Sequence, residues 1–181
     1  MKTYKNYDEF EDEELSFGKK TFADLDREPE DEAFVFEYDE EMAEKIRCDN
    51  SEYLEIFEDD LEAAGVDDDV INRHLSYVDL YLNHFLLHED ILPMEEGTLN
   101  IDMFLGDYFI RKYAGATPKT IKSAAGSIKK FYRCMAKHGN IEQDDYDYLS
   151  LTVEEKMDEW QRICERHNDP SEDDPLAEFP I

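Results

Sequence analysis

No apolar run in this chain approaches the roughly 18 residues a helix needs to span a bilayer. The opening MKTYKNYDEFEDEE also lacks the apolar segment of a secretory signal. These absences predict a cytoplasmic protein with no membrane partner. Cysteine is scarce: Cys48, Cys134 and Cys164 are odd in number, no two sit at metal-ligand spacing, and they read as reduced, packed thiols. There is no glycine-rich phosphate loop, no nucleophile elbow and no HExxH pattern. The run Asp67, Asp68, Asp69 lacks the alternation and glycine of a calcium loop. His84 and His88 are four apart, a spacing that can pair two imidazoles on a metal, but no third ligand follows at a diagnostic spacing. They read as ordinary histidines. No catalytic residue, metal site or cofactor is expected, and the chain is not expected to be an enzyme.

Basic residues are also few. There are 19 Lys and Arg against 48 Asp and Glu, a net charge of -29, so pairs of carboxylates carry no information about acid–base catalysis. Residues 51–100 hold fourteen acidic residues and one basic one, Arg73. What is present is enough for a core: 41% of residues are hydrophobic and 13% aromatic, which excludes wholesale disorder. The length fits one domain with tails. Residues 1–47 read as an acidic, aromatic-containing arm, partly disordered, in which AFVFEY has the composition of a short strand. Residues 48–168 read as a helical domain and 169–181 as an acidic tail.

The helical pattern is specific. In SEYLEIFEDDLEAAG, Tyr53, Phe57 and Leu61 recur every fourth residue and Gly65 is a natural stop. A second helix carries Ile71, Leu75, Val78, Leu82 and Phe85 on one side, with aspartates at its positive end. ILPMEEGTLN is a loop. A third helix buries Ile101, Phe104, Leu105, Tyr108 and Phe109 and ends at Gly115. Thr117 caps a fourth helix with Pro118 at its first position, and Gly139 stops it. A short turn follows near IEQDDYDYL. Thr152 and Glu155 then form a capping box for a last helix whose apolar side is Val153, Met157, Trp160 and Ile163. With no repeat and no strand-rich region, the class is an all-α bundle of four or five helices.

Against this acidic background one stretch is reversed. Arg111 to Lys137 holds eight basic residues and no acid. At about 100° per residue, Lys119, Lys122, Lys129, Lys130, Arg133 and Lys137 of the fourth helix share an arc of roughly 100°. Ile121, Ala124, Ala125, Ile128, Phe131, Tyr132 and Met135 fall opposite. Gly126 and Ser123 sit in or beside the basic stripe. A bare patch flanked by cations suits a phosphate backbone. A solvated lysine face that offsets nearby acids, or one that meets an acidic partner or tail, remains open.

The order of helices and caps resembles the N-terminal core-binding (SAM-like) domain of the tyrosine recombinase, or phage integrase, family. The stretches that carry the resemblance are LEAAGVDDDVINRHLSYVDLYLNHFLLHEDI and GATPKTIKSAAGSIKKFYRCMAKHGNIEQDDY, within residues 51–146. Leu75, Val78 and Phe85 match the buried positions of the family's second helix. Thr120, Ile121, Ser127, Ile128, Lys129, Phe131, Tyr132 and Gly139 match the fourth. The resemblance implies a SAM-like orthogonal bundle that clamps one side of a DNA duplex. By carry-over, Lys119, Lys122, Lys129, Lys130 and Arg133 face DNA, and Arg111 and Lys112 contact the flanking backbone, with Lys137 extending the stripe.

Two departures qualify that expectation. The family's catalytic arginines, histidine and nucleophilic tyrosine have no counterpart after the matched region, so Tyr146 and Tyr148 are expected to be packing residues and the module to be stand-alone and non-enzymatic. The second helix carries Asp67, Asp68, Asp69 and Asp79 against Arg73, which is the wrong charge for phosphate. Six phosphate contacts by the fourth helix give a log–log salt slope near about -5. The rival expectation is an acidic adaptor or DNA mimic that meets a basic protein partner, through its acidic surface or through Phe34, Phe36 and Tyr38.

Overall fold

The structure, a computed structural model, describes residues 29–88 and 90–169, with side chains from residue 40 onward. The expected tail beyond Asp169 and most of the expected arm lie outside these residues. The described part is an all-α bundle, with no strand among the described residues. Helix α1 is Pro29–Ala63. AFVFEY therefore lies on helical backbone rather than in a strand; the side chains of Phe34, Phe36 and Tyr38 are outside the described set. The described residues from Glu37 onward belong to one compact unit. None of the helices among the described residues is long and apolar enough to cross a membrane.

Helix α1 ends before Gly65, which adopts a positive φ of 72°. Asp67 then caps α2, its carboxylate accepting from the Asp69 backbone N–H at 3.3 Å. Helix α2 runs as α-helix over Asp68–Asp79 and continues as π-helix over Leu80–Phe85. A 3-10 segment, Met94–Leu99, lies within the expected loop. Helix α3 covers residues 101–112 in three parts: Ile101–Met103, a π-helical Phe104–Tyr108, and Phe109–Lys112. It stops at Lys112 rather than at Gly115, because Tyr113 turns extended at ψ 105°. Helix α4 is Pro118–His138 and helix α5 is Gln143–His167.

The last helix corrects one expectation. Thr152 does not start it; its hydroxyl donates back to the Tyr148 carbonyl at 3.0 Å inside a continuous rod. Leu149, Val153, Trp160 and Cys164 keep one buried line across the expected boundary, so burial overrides the local capping signal. Tyr146 packs against the core as expected, whereas Tyr148 lies half exposed on the surface.

Within the core, an aromatic cluster sits where the two π-helical segments meet. Tyr81 and Phe104 have ring centroids 4.8 Å apart, Phe85 and Phe104 5.2 Å, and Phe85 and Tyr108 5.2 Å. The extra residue per turn in each π segment accompanies this ring cluster. Two buried hydroxyls pin the 3-10 segment over it. Tyr132 donates to the Met94 carbonyl at 2.7 Å and Tyr81 donates to the Gly97 carbonyl.

Helix α4 is the central element. It packs along α5 and against α2. Thr117 accepts from the Thr120 N–H at 3.2 Å, and the Thr120 hydroxyl accepts from the Thr117 N–H at 2.8 Å, a capping box closed by threonine instead of a carboxylate. Its start is tied to α5 by Gln161, which donates to the Pro118 carbonyl at 2.9 Å, and by Asn168, which donates to the Ala116 carbonyl at 2.9 Å. Gly139, at φ 77°, ends it in the left-handed conformation that glycine adopts without steric cost.

Candidate nucleic-acid interface

The two faces of α4 separate as the helical period requires. Ile121, Ala124, Ala125, Ile128, Phe131, Tyr132 and Met135 are fully buried. The buried side extends to Ser127 and Cys134, which face α2 and α1. Lys119, Lys122, Lys130, Arg133 and Lys137 are exposed and Lys129 is half-buried. A Cβ added at Gly126 meets nothing within 4 Å, so the backbone there is bare to solvent. The stripe of six cations is thus an outer edge of the bundle.

Its members differ in what they already touch. Lys129 Nζ donates to Glu154 on α5 at 2.7 Å. Lys137 Nζ donates to Asp60 on α1 at 2.8 Å. Lys130 Nζ lies 3.1 Å from His74 Nε2 on α2. Among the described residues, Lys119, Lys122, Lys130 and Arg133 form no ion pair. These four keep their charge unneutralised along one edge, with Gly126 between Lys122 and Lys130.

Helix α3 supplies the two flanking residues. Arg111 is turned onto Asp107 of its own helix, N–O 2.6 Å, and its side chain is only 12% exposed. It is occupied by the fold. Lys112 is exposed in the last turn.

Of the four acids of α2 that opposed a DNA-facing role, two have structural partners, and Asp68 and Asp69 stay exposed in the first turn. Asp67 caps the helix, and Asp79 accepts from Asn83 at 2.8 Å and faces His84 at 3.7 Å. Arg73 is exposed. His84 and His88 are both exposed, and His88 packs edge-on to Tyr108.

Beside the stripe, α1, α4 and the start of α5 enclose a groove of about 530 Å³. Phe57, Leu61, Ala64 and Val66 form an apolar floor, and Lys130, Arg133 and Lys137 form a cationic rim. Asp60 and Cys134 also line it. The Lys137 hydrogen bond, and lesser ones from Cys134 and His138, hold the Asp60 carboxyl down to about 2. Burial, reinforced by the hydrogen bond to Asp60, pushes the Cys134 thiol up to about 12. This cluster went unread in the sequence. The signal for it was Cys134 and His138 standing one helical turn apart on α4.

Family models, curated proteins and solved structures were all compared with this chain, and none matches it.

Proposed function

We propose that the chain is a non-enzymatic, cytoplasmic DNA-contacting module akin to a recombinase core-binding domain, with the outer edge of α4 laid along a phosphate backbone. The observation that carries this reading is the set Lys119, Lys122, Lys130 and Arg133, exposed and without an ion pair among the described residues, on a helix whose other face is buried. In a chain of net charge -29, four unneutralised cations in a row are a departure that solvation alone does not require. Gly126 leaves room for another backbone between them. Arg111, Lys129 and Lys137 shape the edge through their pairs with Asp107, Glu154 and Asp60. Four phosphate contacts correspond to a log–log salt slope of roughly -3 to -4.

Fluorescence anisotropy of a labelled duplex, at low and at physiological salt, tests it. Binding is expected to weaken along that slope and to disappear in the double reversal Lys122→Glu with Arg133→Glu. Binding that survives the reversal overturns the assignment to α4.

A second reading has its own observation. Glu52, Glu55, Asp59 and Glu62 are exposed on one face of α1, a row of carboxylates one turn apart. Such a row resembles a phosphate backbone and fits an adaptor or DNA mimic that binds a basic protein. No anisotropy change at low salt, together with competition between this chain and duplex for a basic DNA-binding protein, favours that reading over the first.

A further inference from the structure

Near the C-terminus of α4, Cys134 and His138 stand one turn apart on the groove side, and Asp60 reaches both from α1. Cys134 Sγ is 3.4 Å from Asp60 Oδ2, and His138 Nε2 is 3.3 Å from Asp60 Oδ1. One donor atom from each residue lies within 4.8 Å of the other two. Zinc lies about 2.3 Å from a thiolate and about 2.0–2.1 Å from nitrogen or oxygen, so a tetrahedral site has ligand–ligand edges of roughly 3.3–3.6 Å. Cys134 Sγ and His138 Nε2 each lie at about that distance from the Asp60 carboxylate, one against Oδ2 and the other against Oδ1, so a turn of the carboxylate and a contraction from within 4.8 Å bring one oxygen, the sulfur and the nitrogen onto a single ion. Their chemistry also fits: a thiolate, an imidazole and a carboxylate suit a borderline-soft divalent ion.

We propose that Asp60, Cys134 and His138 form a three-ligand site for a tetrahedral divalent ion of the zinc class, with the fourth position open to the groove. Three protein ligands and an open position distinguish sites that bind a further ligand from closed structural ones. The groove supplies the space, since Asp60 and Cys134 line it. On binding, the Cys134 S–H bond breaks, its proton leaves to solvent and a metal–sulfur bond forms, with no change of oxidation state. Thiolate and carboxylate together balance the two positive charges. Lys137 now donates to Asp60, but its side chain is 66% exposed and free to swing outward as the metal replaces it. Lys130 and Arg133 on the rim favour an anion as the fourth ligand. None of the three ligands belongs to the DNA-contacting set, although Lys130, Arg133 and Lys137 border both.

Co²⁺ titration of the reduced full chain tests the proposal. One equivalent is expected to give intense tetrahedral visible bands and a near-ultraviolet sulfur-to-cobalt band, both displaced by Zn²⁺. The spectrum should persist in Cys48→Ser, whose exposed thiol is remote in sequence, and lose the sulfur band in Cys134→Ser. His138→Gln alters an exposed residue and keeps the fold. It should weaken Co²⁺ by at least the roughly 10–100-fold that loss of an outer-shell partner causes. A pale octahedral spectrum in the natural chain, a sulfur band that survives Cys134→Ser, or unchanged affinity in His138→Gln each overturns the site.

Discussion

His74 on α2 accepts a hydrogen bond from Lys130 on α4 through Nε2, at 3.1 Å, while its Nδ1 lies 2.8 Å from the Ser127 hydroxyl. Ser127 donates to the Ser123 carbonyl at 2.8 Å, so its oxygen accepts from His74. The imidazole is therefore neutral with its proton on Nδ1, and it holds one cation of the candidate interface in place. This pair also couples the buried seam between α2 and α4 to the outer edge of α4.

That coupling predicts a pH effect. Burial, then Lys130 and Arg73, lowers the His74 pKa below the ordinary 6.5. The other groups facing the ring, Phe57 and Ser127, carry no charge. A depressed folded-state pKa means that the unfolded chain binds the proton first. Stability from this site is present above about pH 6.5 and is lost as pH falls through and below it. NMR titration is expected to place His74 below 6.5, and Lys130→Met should raise it. A titration at or above 6.5 in the natural chain would contradict the neutral, buried assignment.

Gly126 gives a prediction of opposite sign to most glycine changes. It is exposed in the middle of α4, with ordinary helical φ, and an added Cβ meets nothing. Gly126→Ala should stabilise the protein by about 1 kcal/mol, the helix-propensity difference between the two residues. Chemical denaturation measures it. If the same variant binds duplex DNA less tightly while being more stable, the glycine is retained for close approach rather than for folding.

The contrast between these two residues shows what sequence can and cannot carry. Gly126, the cations of α4 and its buried apolar row were all legible, because a 3.6-residue period assigns each side chain to a face before any partner is known. The cap Thr117 and the stop at Gly139 were legible for the same local reason, whereas the aspartates before α2 were read only as a charge at its positive end and not as the Asp67 cap. The π-helical segments were not: they accompany ring packing between Tyr81, Phe85 and Phe104, which joins residues distant in sequence. Thr152 misled because a capping pattern was read without knowing that Leu149 and Val153 share one buried line. His74 was passed over because its partners, Ser127 and Lys130, lie more than fifty positions away. Asp60 was one acid among 48 until α1 was placed beside α4.

Gly97 shows the other use of glycine. A Cβ there would overlap the Tyr132 hydroxyl and come within 2.9 Å of Leu86 Cδ1. Tyr132 cannot withdraw without giving up its bond to the Met94 carbonyl, and its ring is fully buried. Gly97→Ala should therefore cost about 1–3 kcal/mol by overpacking. The loss should appear as a lower denaturation midpoint with an unchanged slope. Equal stability would mean that the 3-10 segment shifts away freely, which the two tyrosine hydrogen bonds oppose.

Salt should stabilise this protein. Exposed Glu52, Glu55, Asp59 and Glu62 stand about one turn, 5.4 Å, apart along α1, well inside the screening length of about 8 Å at physiological ionic strength. At about 1 M salt that length falls to about 3 Å and the repulsion is largely removed. Each like-charge neighbour on a helix costs roughly 0.2–0.5 kcal/mol, so the three adjacent pairs on α1 alone amount to about 1 kcal/mol. Opposing this, salt also weakens exposed ion pairs such as Lys156 with Glu159 and Lys129 with Glu154. Those contribute little in water, and they are few beside a net charge of -29. The repulsive term therefore wins, and raising KCl from about 0.15 M to about 1 M should lift Tm by roughly 2–4 °C or more. The double variant Glu55→Gln with Asp59→Asn should raise Tm at low salt and flatten its rise with KCl. A Tm that falls as KCl increases would mean that attraction between the surface charges outweighs their repulsion, and would remove the reason for treating the acidic face of α1 as stored repulsion.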